Sequence, residues 1–184
     1  NLIKIYVDAS SAKRVDIIIK HYTDFIGIVD GYTEGLRYMI ESEKDSNSHR
    51  ELGDLGVRVQ TGGSTSDPTA KKAIRNVMTR EALINCDFSG DVMEGVDRAE
   101  EFIRDAYLLR DMRKDYELFN RQLSILGTEK ETFEKYLRRE KTLIDIAEEQ
   151  GITYESAQQK IHKIRLRVKK QVVGFMDGKM GGIA

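Results

Sequence analysis

Thr142-Leu-Ile-Asp-Ile-Ala-Glu-Glu-Gln-Gly-Ile-Thr-Tyr-Glu-Ser-Ala-Gln-Gln-Lys-Ile-His-Lys-Ile-Arg165 reads as two short helices joined by a tight turn. Thr142 is placed to cap a helix over Leu143 to Gln150, its hydroxyl accepting from the free N–H groups of the first turn. Gly151 suits the left-handed conformation that ends a helix. Thr153 caps a second helix, running from Tyr154 to about Val173. Leu143, Ile146, Ala147, Ile152, Ala157, Ile161 and Ile164 make the apolar side. Small Ala147 lets the helices cross closely, Ile152 is expected to plug the core between them, and Ala157 seats the second helix on the first. The pattern is a helix-turn-helix.

Charge then points to a partner. From Ser156 through Lys170 there are six Lys or Arg and no Asp or Glu, whereas Asp145, Glu148 and Glu149 lie on the preceding helix. Tyr154, Glu155, Ser156, Gln158 and Gln159, near the start of the second helix, are able to hydrogen-bond base edges; Gln suits adenine and Glu accepts from cytosine. Thr153, Lys160, His162, Lys163, Arg165, Arg167, Lys169 and Lys170 are spaced to meet phosphates on both walls of a groove. Polar readers at the leading end with cations behind them describe a recognition helix in a major groove. A basic helix that is merely solvated, or that docks on an acidic protein, is the plainer alternative.

Outward from this segment, Gly127 is expected to close a long helix, and Thr128-Glu-Lys-Glu131 to form a capping box opening a helix to about Arg139. The long helix is read from Val92, Val96, Ala99, Ile103, Ala106, Leu109, Met112, Tyr116, Phe119 and Leu123, with charged residues on its other faces. At 1.5 Å per residue it would span roughly 45 Å. An earlier seam, Val15, Ile18, Tyr22, Phe25, Val29, Tyr32, Leu36 and Met39, keeps the same spacing and would pair with it, within the chain or across a dimer. Gly27, Gly31 and Gly35 form a stripe where a partner backbone could approach; a hairpin turn at Asp30-Gly31 competes with the helix but explains fewer positions. Residues 1–8 alternate as a strand or an arm. About 42–67 reads as a flexible loop ending in Thr61-Gly-Gly-Ser-Thr-Ser66. Asp67-Pro68 then opens a helix from Ala70 to Ile84, and Asn85 to Asp91 is a turn.

The composition excludes several classes. The 184 residues hold 30 Lys or Arg and 31 Asp or Glu, a net charge of −1, so a nucleic-acid signal must be local. A single Pro favours helices, and a lone cysteine, Cys86, forms no internal disulfide. No apolar run approaches the roughly 20 residues a bilayer span needs, and no leader pattern is present, so a cytoplasmic location in a bacterial or phage-infected cell is expected. His21, His49 and His162 lack zinc spacing. Asp87, Asp91, Glu94 and Asp97 do not fit a calcium loop. Gly62-Gly63-Ser64 lacks the rest of a phosphate loop, and no Ser, His and Asp are held as a triad. Neither cofactor, metal nor enzymatic activity is expected. The expected architecture is all-α: a helical assembly region over 1–126, and a helix-turn-helix domain with its tail over 127–184.

The segment from Leu143 to Arg165 resembles region 4 of the bacterial sigma-70 family, with its L-x-x-I-A-x-x-x-G-I-[ST] pattern. Over a wider span, through Gly63-Ser-Thr-Ser-Asp-Pro-Thr-Ala70 and the order of its parts, the chain is similar to phage late transcription regulators of the ArpU/RinA type. The resemblance implies sequence-specific duplex binding at a promoter, contact with RNA polymerase and activation of phage or prophage late genes. In region 4 the residues after the Thr cap read the −35 element, a role that would fall on Tyr154, Glu155, Ser156, Gln158 and Gln159. Sigma factors often carry Arg where Tyr154 stands, and no counterpart of their region 2 is evident. A small terminase-like packaging subunit and a sigma-like polymerase subunit are the alternatives. One such domain covers little DNA, so a homo-oligomer formed through the N-terminal helices is expected.

Overall fold

The structure, a computed structural model, describes residues 2–54 and 68–179. Their regular structure is all helical, with no strand among the described residues. In chain order come α1 (Leu2–Val7), α2 (Ser11–Lys20), α3 (Phe25–Asp54), α4 (Pro68–Asn85) and α5 (Ala99–Gln122). A 3-10 helix (Leu123–Glu129), α6 (Lys130–Leu137), α7 (Leu143–Gln150) and α8 (Tyr154–Met176) follow. Two compact units result: Asn1–Gly27 with Arg113–Ala184, and Ile28–Met112.

The first unit is built on α8. Its apolar face, Ala157, Ile161, Ile164, Val168 and Val172, is buried, and both α2 and α7 pack against this helix. Val15 and Ile18 of α2 are fully buried, as are Phe119, Leu123, Phe133 and Ile146. Phe25 stacks on Tyr116 with ring centroids 5.5 Å apart, and Tyr6 tilts against Phe25 at 5.8 Å. The Tyr6 hydroxyl donates to Asp115 Oδ2 at 2.8 Å and the Tyr22 hydroxyl to Asn120 Oδ1 at 2.7 Å. The division expected at 126/127 therefore differs from the one observed. Without α2, the Val168 and Val172 end of α8 would be left exposed, so the N-terminal segment belongs with the C-terminal helices.

The second unit holds the rest of α3, with α4 and the first half of α5. Glu41 is buried at 5% exposure and accepts from Thr79 Oγ1 at 2.5 Å and Arg75 Nε at 2.6 Å. Arg75 and Lys72 both reach Asp45, at 2.7 and 2.9 Å. Glu43 receives the backbone N–H and the guanidinium of Arg98 at 2.9 and 3.0 Å. These partners explain a correction. Residues 42–54, expected as flexible loop, continue α3 as helix, because acidic groups that look solvated in sequence meet cations from α4 and from the turn before α5. Thr61–Ser66 and Asp67 lie outside the described residues; Pro68 does open α4. Ile74, Val77 and Met78 of α4 are exposed.

Other expectations also change. Residues 2–7 are helix, not strand or arm. The Val15–Met39 seam is broken: α2 ends at Lys20, a turn occupies 21–24, and α3 begins at Phe25. The turn lets Tyr22 and Phe25 both enter the aromatic cluster with Tyr116 and Phe119. Beyond it Tyr32 and Met39 are exposed, while Thr33 and Ile40 are buried in their place. A Cβ at Gly27, Gly31 or Gly35 would meet nothing within 4 Å, so no backbone approaches that stripe among the described residues. The long helix starts at Ala99 rather than Val92 and spans about 36 Å. Gly90 and Gly95, at φ 77° and 73°, shape the turn before it, and Val96 is buried from within that turn.

Candidate nucleic-acid interface

Two end-of-helix turns set the site. α7 opens on the cap expected at Thr142, which forms a full capping box with Asp145: the Thr142 hydroxyl accepts from Asp145 N at 3.3 Å, and the Asp145 carboxylate accepts from Thr142 N at 2.7 Å. The bonds that the Thr142 N–H and hydroxyl donate to the Asp145 carboxylate hold it below its ordinary value. α7 closes on Gly151, at φ 60° and ψ 35°. Gly151 N–H donates to Glu148 O at 3.2 Å and Ile152 N–H to Ala147 O at 3.0 Å, the paired bonds of a left-handed glycine ending. Thr153 then caps α8, accepting from Ser156 N at 3.2 Å. Ile152, expected as a core plug, is 36% exposed; its backbone closes the turn while its side chain lies near the surface.

The Thr128 capping box is absent. Gly127 takes φ 53° inside the 3-10 helix, Glu129 takes the cap position of α6 in helical conformation, and no side chain caps that helix. The Glu129 carboxylate pairs instead with Arg167 of α8.

On α8, Tyr154, Glu155, Ser156, Gln158 and Gln159 are all exposed at the leading end. Ser156 Oγ accepts from the Thr153 hydroxyl at 3.1 Å. The cations divide into two sets. Lys160 donates to Gln150 Oε1 at 2.9 Å, Arg167 is held by Glu129, and Arg165 and Lys169 both turn onto Asp16 of α2, at 2.8 and 2.6 Å. Partial burial pushes the Asp16 carboxyl up, but the hydrogen bonds from Lys169 and Arg165 outweigh it and hold the group below its ordinary value. His162, Lys163 and Lys170 are exposed and none of them makes an ion pair among the described residues. Glu155 is the one carboxylate along α8 itself.

Two grooves flank this helix. One, with a volume of about 980 Å³, takes Tyr154, Gln158, His162 and Arg165 along its α8 wall. The other, about 620 Å³, takes Ser156, Gln159, Lys163 and Arg167. The outer face of α8 thus stands between two depressions, each carrying part of the polar lead and part of the cationic tail. Comparison with family models, with curated proteins and with solved structures found no match for the chain.

Sequence reasoning missed the opposite wall of the larger groove. Lys13 and Lys20 of α2 and Arg139, in the turn after α6, line it. Arg138-Arg139 was a visible basic pair, but only the packing of α2 on α8 brings the two lysines to the same groove. Among the described residues no helix is long and apolar enough to cross a membrane, and no cluster of His, Cys, Asp and Glu has the makings of a metal site.

Proposed function

We propose that α7 and α8 form a DNA-binding helix-turn-helix and that α8 reads duplex DNA in the major groove as part of a transcription regulator. The observation that carries this reading is the outer face of α8. Amides and hydroxyls crowd its first two turns, Lys163 and Lys170 follow without an ion pair among the described residues, and within α8 no carboxylate comes after Glu155. A major groove about 12 Å wide admits one helix, and the depressions beside α8 leave room for the groove walls. The resemblance to sigma region 4 adds a promoter as the target and RNA polymerase as second partner, and the similarity to ArpU/RinA-type regulators adds activation of phage late genes as outcome.

A single module of this kind buries about 600–1,000 Å² on DNA, so a dimer on a spaced or repeated site is part of the proposal. Sedimentation at micromolar concentration should show it, and a monomer would count against it. A ring of eight or more subunits would favour the DNA-packaging alternative. The direct test is selection of bound duplexes from a random pool. An enriched motif is expected, and a failure to retain any duplex at low salt would overturn the reading.

A further inference from the structure

We propose that the N-terminal helix α2 and the turn after α6 form a second phosphate-binding wall, so that one strand of the duplex passes along the groove between Lys13, Lys20 and Arg139 on one side and α8 on the other. This rests on the DNA-binding reading of α8 and extends it to α2, in the region expected to serve assembly, and to the turn after α6.

The groove has the right charge. Five Lys or Arg and one Asp line it. The Asp, Asp16, is already saturated by Arg165 and Lys169, and Lys141 is held by Glu149 at 2.5 Å. Lys13, Lys20 and Arg139 are left, all exposed and without an ion pair among the described residues. Their natural counter-charge is an anion entering from solvent. A phosphodiester strand supplies such charges at regular spacing beside any helix seated in the major groove. Gln158 and His162 line the same groove from α8, so a strand lying there would sit directly beside the base-reading residues.

Arg139 adds an independent mark. It ends α6 at φ 60°, with its N–H donating to Tyr136 O at 3.1 Å and the Glu140 N–H to Lys135 O at 2.9 Å. That is the turn Gly151 makes after α7, where glycine is the unstrained residue. An arginine held in a glycine conformation at the lip of a cationic groove gives up stability and gains a charge there.

The test is duplex binding by the full chain, measured against salt concentration. Lys13→Gln with Lys20→Gln should weaken binding to all duplexes roughly tenfold per lost contact at 0.1 M salt and lower the salt slope by about 0.9 for each, with base preference unchanged. Arg139→Gly should weaken binding similarly while raising the thermal midpoint by a few degrees, which separates lost contact from lost folding. Wild-type affinity and slope in both variants, with Lys163→Gln and Lys170→Gln still weakening binding, would overturn the second wall and leave α8 as the reader. Unchanged binding in all of these variants would overturn both.

Discussion

Asp16 and Arg165 lie 149 positions apart in the chain, yet the Asp16 carboxylate accepts from the Arg165 guanidinium at 2.8 Å. Its other oxygen holds Lys169. One acid of the N-terminal segment therefore neutralises part of the basic run on α8 and fastens α2 to it. Asp16→Asn should free both cations for DNA. Affinity for duplex of any sequence should rise, and the salt slope should steepen by up to about 1.8, at about 0.9 per added phosphate contact. Stability should fall by about 1 kcal/mol, the scale of a half-exposed ion pair. Salt-dependent binding and urea midpoints on the same preparation check both signs; weaker binding by the variant would show that Asp16 orients the two cations instead.

The turns after α6 and α7 are alike, but one is closed by Arg139 and the other by Gly151, both at φ 60°. A Cβ at Gly151 would meet nothing within 4 Å, so Gly151→Ala should lose about 1 kcal/mol through backbone strain alone. Arg139→Gly should gain about as much. Denaturant midpoints of the two variants should move in opposite directions, and a shared direction would refute the account of these turns.

How much of this was legible follows the range of the forces involved. The Thr142 cap, the Gly151 ending and the Thr153 cap are complete within a few residues, so the limits of α7 and the start of α8 could be read directly. The buried face at Ala157, Ile161 and Ile164 was legible for the same reason. Asp16 was silent, because its meaning depends on α2 packing against α8. Glu41, Glu43 and Asp45 looked like solvated loop until Arg75, Arg98 and Lys72 supplied partners. The spacing of Val92 and Val96 mimics a helix because Val96 is buried from a turn shaped by Gly90 and Gly95. The capping box at Thr128 failed because Gly127 bends the chain and Lys135 claims the Glu131 carboxylate that the box needs, neither of which the four residues themselves report.

Tyr22 offers a pH test. Burial, with the charges of Tyr116 and Glu134 adding to it, pushes its phenol from an ordinary 10 up to about 12. A folded value above the unfolded one means that the protonated form favours the fold. That contribution is complete below pH 10 and is lost as the pH climbs toward 12. Tyr22→Phe should start less stable by about 1 kcal/mol, having lost the bond to Asn120, and should then decline less steeply between pH 10 and 12. Urea midpoints at several pH values measure the two slopes, with lysine titration common to both proteins. Parallel declines would remove Tyr22 from the account.

The sharpest prediction separates reading from gripping on α8. Gln158 and Gln159 are exposed on its leading turns, and each lines a different flanking groove. Lys163 follows, and Lys170 extends the same exposed face. An amide paired to a base edge distinguishes sequences, and a good bidentate pair is worth about 1–3 kcal/mol of discrimination. A lysine on a phosphate lends the same attraction to every sequence. Gln158→Ala with Gln159→Ala should therefore lower affinity for the selected site, leave affinity for unrelated duplex unchanged and keep the salt slope. Lys163→Ala with Lys170→Ala should weaken both duplexes alike and reduce the slope by about 0.9 per lost contact. Competition titrations of the selected and a scrambled duplex, repeated at two salt concentrations, resolve the two patterns. If the glutamine pair behaves like the lysine pair, α8 grips DNA without reading it, and sequence preference must come from elsewhere on the chain.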